Sequence, residues 1–376
     1  SSCNTAIVGE NSDSTNNFGY NNAGAIYVFT KSTITEVEHK LTNPTHSNYK
    51  AGDYYGVSVR IDGDYAVVGA QAYNSPFTLT SYGAAFIYHY SNNRWYRQKS
   101  LYGTTHNGFA NVVRISGDSV GLTSESAKCF FIYVRDGSSW TEQAKLTPVL
   151  NTTLYSVDLH EDTAILSRYS HNLYVYVRNG TEWSLQEDIS IPSYYGYRSR
   201  LYKDTILTLN TNTIKIYNRS GTSWSLVQTI YEFGGYIHGV AGITYDQTSI
   251  YGNYLAVTST SSTASIARTS WIYFKENSTW TQQAKLTIPD YVDTSYWNGQ
   301  YTGITISDKY LVWGLGKAVN VEGFRSVAYV FKRHGTEWKY IRKLTPSEVL
   351  DYSNLDYLHP SKFGMKLGID GSRVII

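Results

Sequence analysis

A tryptophan that recurs with a fixed companion constrains this chain more than any other feature. Trp95, Trp140, Trp183, Trp224, Trp280 and Trp338 are each followed six residues later by Leu101, Leu146, Ile189, Ile230, Leu286 and Leu344. Three copies read almost alike: WTEQAKLT from Trp140, WTQQAKLT from Trp280 and WKYIRKLT from Trp338. Another, ITEVEHKLT from Ile34, lacks the Trp. Ahead of each copy lies an apolar run such as AIYVF, FFIYV, LYVYV or AYVF, then a turn such as RDGSS, RNGTE or RSGTS. Two strand patterns joined by so short a Gly- or Asn-bearing segment form a β-hairpin. A second hairpin precedes each pair, as in VSVRIDGDYAVVGA from Val57 and ITISDKYLVWG from Ile304. The unit is thus four short strands, a to d. Trp spacings of 41 to 58 residues match one propeller blade per repeat.

Counting the units predicts an all-β chain, a seven-bladed β-propeller of four-stranded antiparallel blades forming a single domain over 1–376. Blade 1 is split between 1–42 and 363–376, so that N- and C-terminal strands share one sheet and leave no open edge. Blades 2 to 7 cover 57–102, 112–147, 154–190, 199–230, 243–287 and 304–345. One tension is visible: Val374 to Ile376 repeats the strand-b positions already supplied by Ala6 to Val8.

The unit resembles the FG-GAP repeat of integrin alpha-subunit propellers and related secreted proteins. The resemblance rests on Tyr55-Gly56 and Phe363-Gly364 before strand a, Gly63-Asp64, Gly69-Ala70, Gly83-Ala84-Ala85, Gly24-Ala25 and the Trp…KLT ends. It spans nearly the whole chain and fades in blades 4 and 5. It implies a secreted adhesion propeller. Such repeats often carry a D-x-D-x-D-G calcium loop between strands a and b. Here that turn is Ile61-Asp62-Gly63-Asp64 and its relatives, too tight to wrap a cation that takes six to eight oxygens. Calcium is therefore not carried over from the family.

Composition narrows the partners. Net charge is +2 with no basic stripe, so nucleic acid and anionic membrane have no electrostatic footprint. Apolar runs are too short for a membrane-spanning helix. Two Cys exclude a disulfide scaffold. Cys129 reads as a buried small apolar residue, and Cys3 as a thiol whose partner would lie elsewhere. Ser1 reads as a mature or excised start.

In a four-stranded meander the a–b and c–d turns share one end of the blade, and the b–c and d–a connections share the other. The first set is short nearly everywhere; the second is long in most blades and rich in aromatic and polar residues. Tyr195, Tyr197, Tyr291, Tyr296, Trp297, Tyr352, Tyr357 and His359 are the candidate binding residues on it. Rigid rings with polar caps make a recognition surface at low ordering cost. The recurring Trp is assigned instead to packing between blades. Asn11, Asp13, Asn16 and Asn17 in one long connection, and Glu348, Asp351, Asn354 and Asp356 in another, are oxygen-rich candidates for calcium, with plain turn chemistry as the alternative. Acceptor sequons place candidate glycans on Asn151, Asn179, Asn218 and Asn277, the last three in c–d turns.

Catalysis has little to stand on. Gly117-Asp118-Ser119-Val120-Gly121 matches G-x-S-x-G, but it aligns with a β–β hairpin rather than a strand-to-helix elbow. The nine His include no metal-spaced pair. The expectation is a non-enzymatic extracellular or cell-surface module, without cofactor, that binds a protein or a glycan. The alternatives are a self-assembling glycoprotein subunit of a filament or coat, and a carbohydrate-active enzyme on a propeller.

Overall fold

The computed structural model describes residues 4–10, 25–31, 36–42, 53–74, 82–104, 108–148, 154–168, 172–191, 198–209, 213–231, 247–258, 269–288, 302–315, 319–320, 323–324, 327–344, 367–370 and 373–375. The architecture is a β-propeller, all antiparallel, with six four-stranded blades among these residues. Blade 2 holds β4 (Tyr55–Asp62), β5 (Tyr65–Ala70), β6 (Ala84–Ser91) and β7 (Arg94–Tyr102). Blade 3 holds β8 (Phe109–Ser116), β9 (Ser119–Ser124), β10 (Cys129–Asp136) and β11 (Ser139–Leu146). Blade 4 holds β12 (Leu154–His160), β13 (Thr163–Arg168), β14 (Asn172–Asn179) and β15 (Glu182–Ser190). Blade 5 holds β16 (Arg198–Tyr202), β17 (Thr205–Leu209), β18 (Thr213–Ser220) and β19 (Ser223–Tyr231). Blade 6 holds β20 (Thr248–Tyr251), β21 (Tyr254–Thr258), β22 (Thr269–Glu276) and β23 (Thr279–Thr287). Blade 7 holds β24 (Thr302–Ile306), β25 (Tyr310–Leu315), β28 (Val327–His334) and β29 (Glu337–Leu344), with the short pair β26 (Val319–Asn320) and β27 (Gly323–Phe324) in its b–c connection. The chain divides into two compact units, Arg60–Thr244 and Ser1–Val59 with Tyr245–Ile376.

The expected seventh blade is corrected to a smaller arrangement. β1 (Asn4–Glu10), β2 (Ala25–Lys31) and β3 (Glu36–Thr42) form a three-stranded sheet. β30 (Gly368–Asp370) pairs with β31 (Arg373–Ile375) in a separate hairpin, and β31 lies alongside β1. The tail supplies its own strand b, so β30 satisfies its ladder within the hairpin instead of completing the first sheet. Two claimants for one position leave six full blades, not seven, among the described residues.

The cores lie between blades because each sheet has two apolar faces and, among the described residues, no helix to cover them. Val67, Ala85, Ile87 and Leu101 of blade 2 meet Phe109, Val113, Ile115, Val120, Leu122 and Trp140 of blade 3. Equivalent clusters join blades 3 and 4, 4 and 5, and 6 and 7. The glycine of the G-A pair has a spatial cause here. A Cβ on Gly69 would strike the carbonyl oxygen of Ala110 in the next blade.

The recurring Trp closes the outer side of each interface through a partner that alternation alone conceals. Every outer strand from β7 to β29 carries a bulge three residues after its Trp, at Gln98, Gln143, Gln186, Val227, Gln283 and Ile341. A bulge re-aims a side chain out of the pleat. The four glutamines use this to accept from the indole of the following blade. Trp140 Nε1 donates to Gln98 at 2.8 Å, Trp183 to Gln143 at 2.9 Å, Trp224 to Gln186 at 3.2 Å and Trp338 to Gln283 at 3.1 Å. Trp140 is only 3% exposed, so its N–H depends on that acceptor. Replacing Gln98 by Leu is expected to destabilise the fold by about 1–3 kcal/mol in denaturant titration, while Gln98→Glu, which keeps an acceptor, loses less.

Candidate functional site

The face of each inner strand opposite its apolar row carries polar residues. Two positions before the a–b turn residues stand Arg60, Arg114, Asp158 and Arg200, with Asp62, Ser116, His160 and Tyr202 two residues further on. In the unit Arg60–Thr244 this row is a continuous series of bonds to the neighbouring inner strand. Gly117 N donates to Asp62 at 2.5 Å and Glu161 N to Ser116 Oγ at 2.8 Å. Ser156 Oγ accepts from Ser199 N at 3.1 Å and donates to Ser199 O at 3.2 Å. Asp158 is the hub. Its Oδ1 takes Arg114 Nε at 2.8 Å and Leu159 N at 3.2 Å, and its Oδ2 takes Leu201 N at 2.9 Å. One carboxylate thus ties β8, β12 and β16 together. In the other unit Ser249 Oγ accepts from Ile306 N at 3.2 Å in the same manner.

Part of this row is deeply buried, while Arg60, Asp62, Ser116, His160 and Tyr202 are half-buried. Arg114, Arg198 and Arg200 are 6–8% exposed, Arg168 is 1% exposed, and Asp158 is the one carboxylate among them at 8%. Arg168 donates to Tyr174 Oη at 2.7 Å, Arg114 to Val113 O at 2.9 Å and Arg200 to Ser199 O at 3.0 Å. Asp158 accepts from three donors and so holds three strands. Among the described residues no group of His, Cys, Asp and Glu could hold a metal ion.

A middle tier repeats at strand c. Arg135 bonds Asp118 of its own a–b turn, donates to Tyr65 Oη of the preceding blade at 3.2 Å and stacks 4.3 Å over that ring. Arg178 joins Asp162 and Ser119, and Arg219 joins Asp204 and Thr163. Ser119 of the G-x-S-x-G match is therefore a buried strand residue serving this joint. Gly121, two residues on, makes room for the Phe130 ring. No elbow exists there.

The sequence candidates divide by placement. Tyr195, Tyr197, Tyr291, Tyr296, Trp297, Tyr352, Tyr357, His359, Asn11, Asp13, Asn17, Asp351, Asp356, Asn151 and Cys3 lie outside the described residues. Asn179 is exposed at the end of β14, and Asn277 is exposed in the β22–β23 turn with φ 48°. Asn218 departs from expectation: it sits inside β18, half-buried, its Oδ1 bonded to Thr205 Oγ1 at 3.2 Å. Cys129 is free and buried, and burial raises its thiol to about 11. The buried guanidinium–carboxylate row escaped the sequence reading, although the aligned segments VSVRI, NVVRI, SVDLH and SRLY carried it.

His160 packs edge-on to Tyr202, with ring centroids 4.7 Å apart, and its Nδ1 has no hydrogen-bond partner. Burial lowers its pKa from the ordinary 6.5, outweighing the opposite pull of Glu161, Asp158 and Asp62, while Lys203 adds to the lowering. The folded protein holds the ring neutral and the unfolded chain takes a proton more readily. Stability contributed by the neutral ring is complete above 6.5 and is lost as pH falls toward the folded value. Melting temperature should drop between about pH 7 and about pH 5, and His160→Phe should flatten that slope. Asp158→Ala, which strands Arg114, should cost about 3–5 kcal/mol in denaturant titration.

The comparisons agree with the architecture. A family model described as the FG-GAP repeat matches residues 38–88. No curated protein sequence matches the chain. Among solved structures, a candidate 6-phosphogluconolactonase from Bacteroides uniformis is similar at 12% identity and TM-score 0.57, covering 91% of this chain and 97% of its own. A candidate 6-phosphogluconolactonase from Bacteroides fragilis is similar at 12% identity and TM-score 0.56, covering 92% and 95%. The Cps50 (Swd1) β-propeller domain of Myceliophteria thermophila is similar at 9% identity and TM-score 0.52, covering 81% and 89%. At such identities the shared property is the fold alone. Residues 38–88 are an FG-GAP repeat set within a β-propeller.

Proposed function

We propose that this protein is a non-enzymatic recognition module of the cell surface or extracellular space. It binds a protein or a glycan through the b–c and d–a connections of its blades. The observation that carries this is the uneven division of chain within each blade. The a–b and c–d turns are two or three residues long in every four-stranded blade, whereas most connections at the other end are longer, only 169–171 and 210–212 being as short as three residues. A rigid scaffold with long connections gathered at one end is the usual arrangement for binding surfaces. Tyr195, Tyr296 and Tyr357 lie in those connections. Asn179 and Asn277 lie at the opposite end, so glycans there would leave the binding end clear. No cofactor takes part in this reading, and neither nucleic acid nor a membrane is a partner. A printed glycan array and a cell-attachment assay on immobilised protein test it. Joint replacement of Tyr195, Tyr296 and Tyr357 by Ala should reduce binding about tenfold or more with an unchanged circular dichroism spectrum. Undiminished binding would move recognition away from those connections.

A second reading, an enzyme acting on an anionic sugar derivative, draws on the individually buried arginines Arg114, Arg168, Arg198 and Arg200. Two solved proteins of similar fold are candidate 6-phosphogluconolactonases. Hydrolysis of 6-phosphogluconolactone above the uncatalysed rate, lost in Arg200→Gln, would favour it over the recognition module.

A further inference from the structure

Blade 6 carries polar side chains at a place where the repeat is otherwise apolar. Ten residues before the recurring Trp the other blades have Ala85, Phe130, Leu173, Ile214 and Ala328, whereas blade 6 has Ser270. Gln247, just before β20, accepts from Thr258 N through its carbonyl oxygen at 2.9 Å. Thr258 in turn pairs with Ser270. Residues opposite one another across strands share a face of the sheet, so Gln247, Thr258 and Ser270 form one polar row. Ala256 and Ile272, two residues along the same strands, pack in the core shared with blade 7. Alternation puts the polar row on that same face. All three of its residues are fully buried. The Thr258 hydroxyl is taken up by the backbone, donating to Thr269 O at 3.5 Å. Gln247 Oε1 and Nε2 and Ser270 Oγ have no hydrogen-bond partner in the protein. The facing blade adds a further group of this kind, since Trp313, fully buried in that core, has an Nε1 without an acceptor.

We infer that this row is a binding site for internal water, held between blades 6 and 7. Buried amides, hydroxyls and indoles are almost always hydrogen-bonded, either to protein or to ordered water. Gln247 and Ser270 flank Thr258 on its two sides, so two strand spacings, about 9.6 Å, separate their backbones. No direct bond closes that span. Water bridges it, because one molecule both donates and accepts, and internal water makes about three such bonds. The chemistry of the groups decides for water over an ion. An amide, a hydroxyl and an indole carry no charge, and among the described residues no group of His, Cys, Asp and Glu could hold a metal. Burial decides for water over a larger ligand, since none of the three residues in the row has surface open to solvent. The site uses no residue of the proposed recognition surface and stands apart from that reading.

Crystallography at near-atomic resolution tests it, together with water deuteron relaxation dispersion, which reports long-lived internal water in solution. Both are applied to wild type, Ser270→Ala and the double variant Gln247→Leu/Ser270→Ala, with circular dichroism to establish that each folds. Ser270→Ala only removes a hydroxyl at a position where blades 2 and 7 have alanine, so it keeps the test decisive if the double variant does not fold. Wild type should show ordered water within hydrogen-bond distance of the Gln247 amide and Ser270 Oγ. Dispersion amplitude should fall in Ser270→Ala, and the double variant should lose the water of this site. A Gln247 amide bonded directly to protein groups, a solute other than water in the density, or an amplitude unchanged in every variant that folds would overturn the assignment.

Discussion

Everything in this fold depends on a sheet being unable to bury both of its faces alone. Each blade is apolar on two sides, and among the described residues no helix covers either. The free energy that holds a blade flat is therefore realised only when a neighbour stacks on it. That makes the contact between consecutive blades, not the blade, the unit of stability. Apolar area alone is indifferent to the offset between two stacked sheets. The three tiers of directed bonds remove that freedom. Inner polar residues reach the next inner strand, arginines on strand c grip the preceding blade's strand b, and indoles seek the preceding bulge. Position is thus fixed at three depths, which leaves the connections free to vary without disturbing it.

How much of this was legible in the sequence follows from what repetition reveals. Trp140 and Trp280 stand before the same KLT because the same place in each interface needs the same ring. The four-strand unit could be read from such coincidences. The glutamine three residues after Trp was equally repeated at Gln98, Gln143, Gln186 and Gln283, yet strict alternation assigns it to solvent. Only the bulge turns it inward. The split blade misled for a different reason. GIDGSRVI closes a local hairpin, and local pairing costs less chain entropy than joining segments several hundred residues apart. Sequence counting undervalued the near partner, although β31 also lies alongside the distant β1.

The candidate site was legible in part for the same physical reasons. Turn chemistry placed Asn277 and the end of β14 correctly at exposed positions. It misplaced Asn218, because a sequon is read from three residues while strand length is set by the partner strand, and β18 continues two residues past it. Buried arginine is invisible to hydropathy, which assigns every guanidinium to the surface. Arg114 is inside because its planar head bonds a backbone carbonyl and a carboxylate at once, and Arg200 bonds the Ser199 carbonyl.

Burying charge is an expensive way to join strands, and the chain has alternatives, since Ser156 and Ser249 join theirs with hydroxyls. The difference is what happens when alignment fails. A serine that loses its bond leaves one neutral group unsatisfied. Asp158, displaced by a residue, would leave a carboxylate and the Arg114 guanidinium both buried without each other, a penalty several times larger. A one-residue slip would also turn Leu159 from its apolar neighbours. Similar blades in sequence invite register errors between neighbours, because each surface nearly fits several others. A single ionic hub at the innermost strands of blades 3, 4 and 5 makes one alignment much better than the rest. The contribution of that pair is to uniqueness more than to stability, and it sits where three strands can be checked by one side chain.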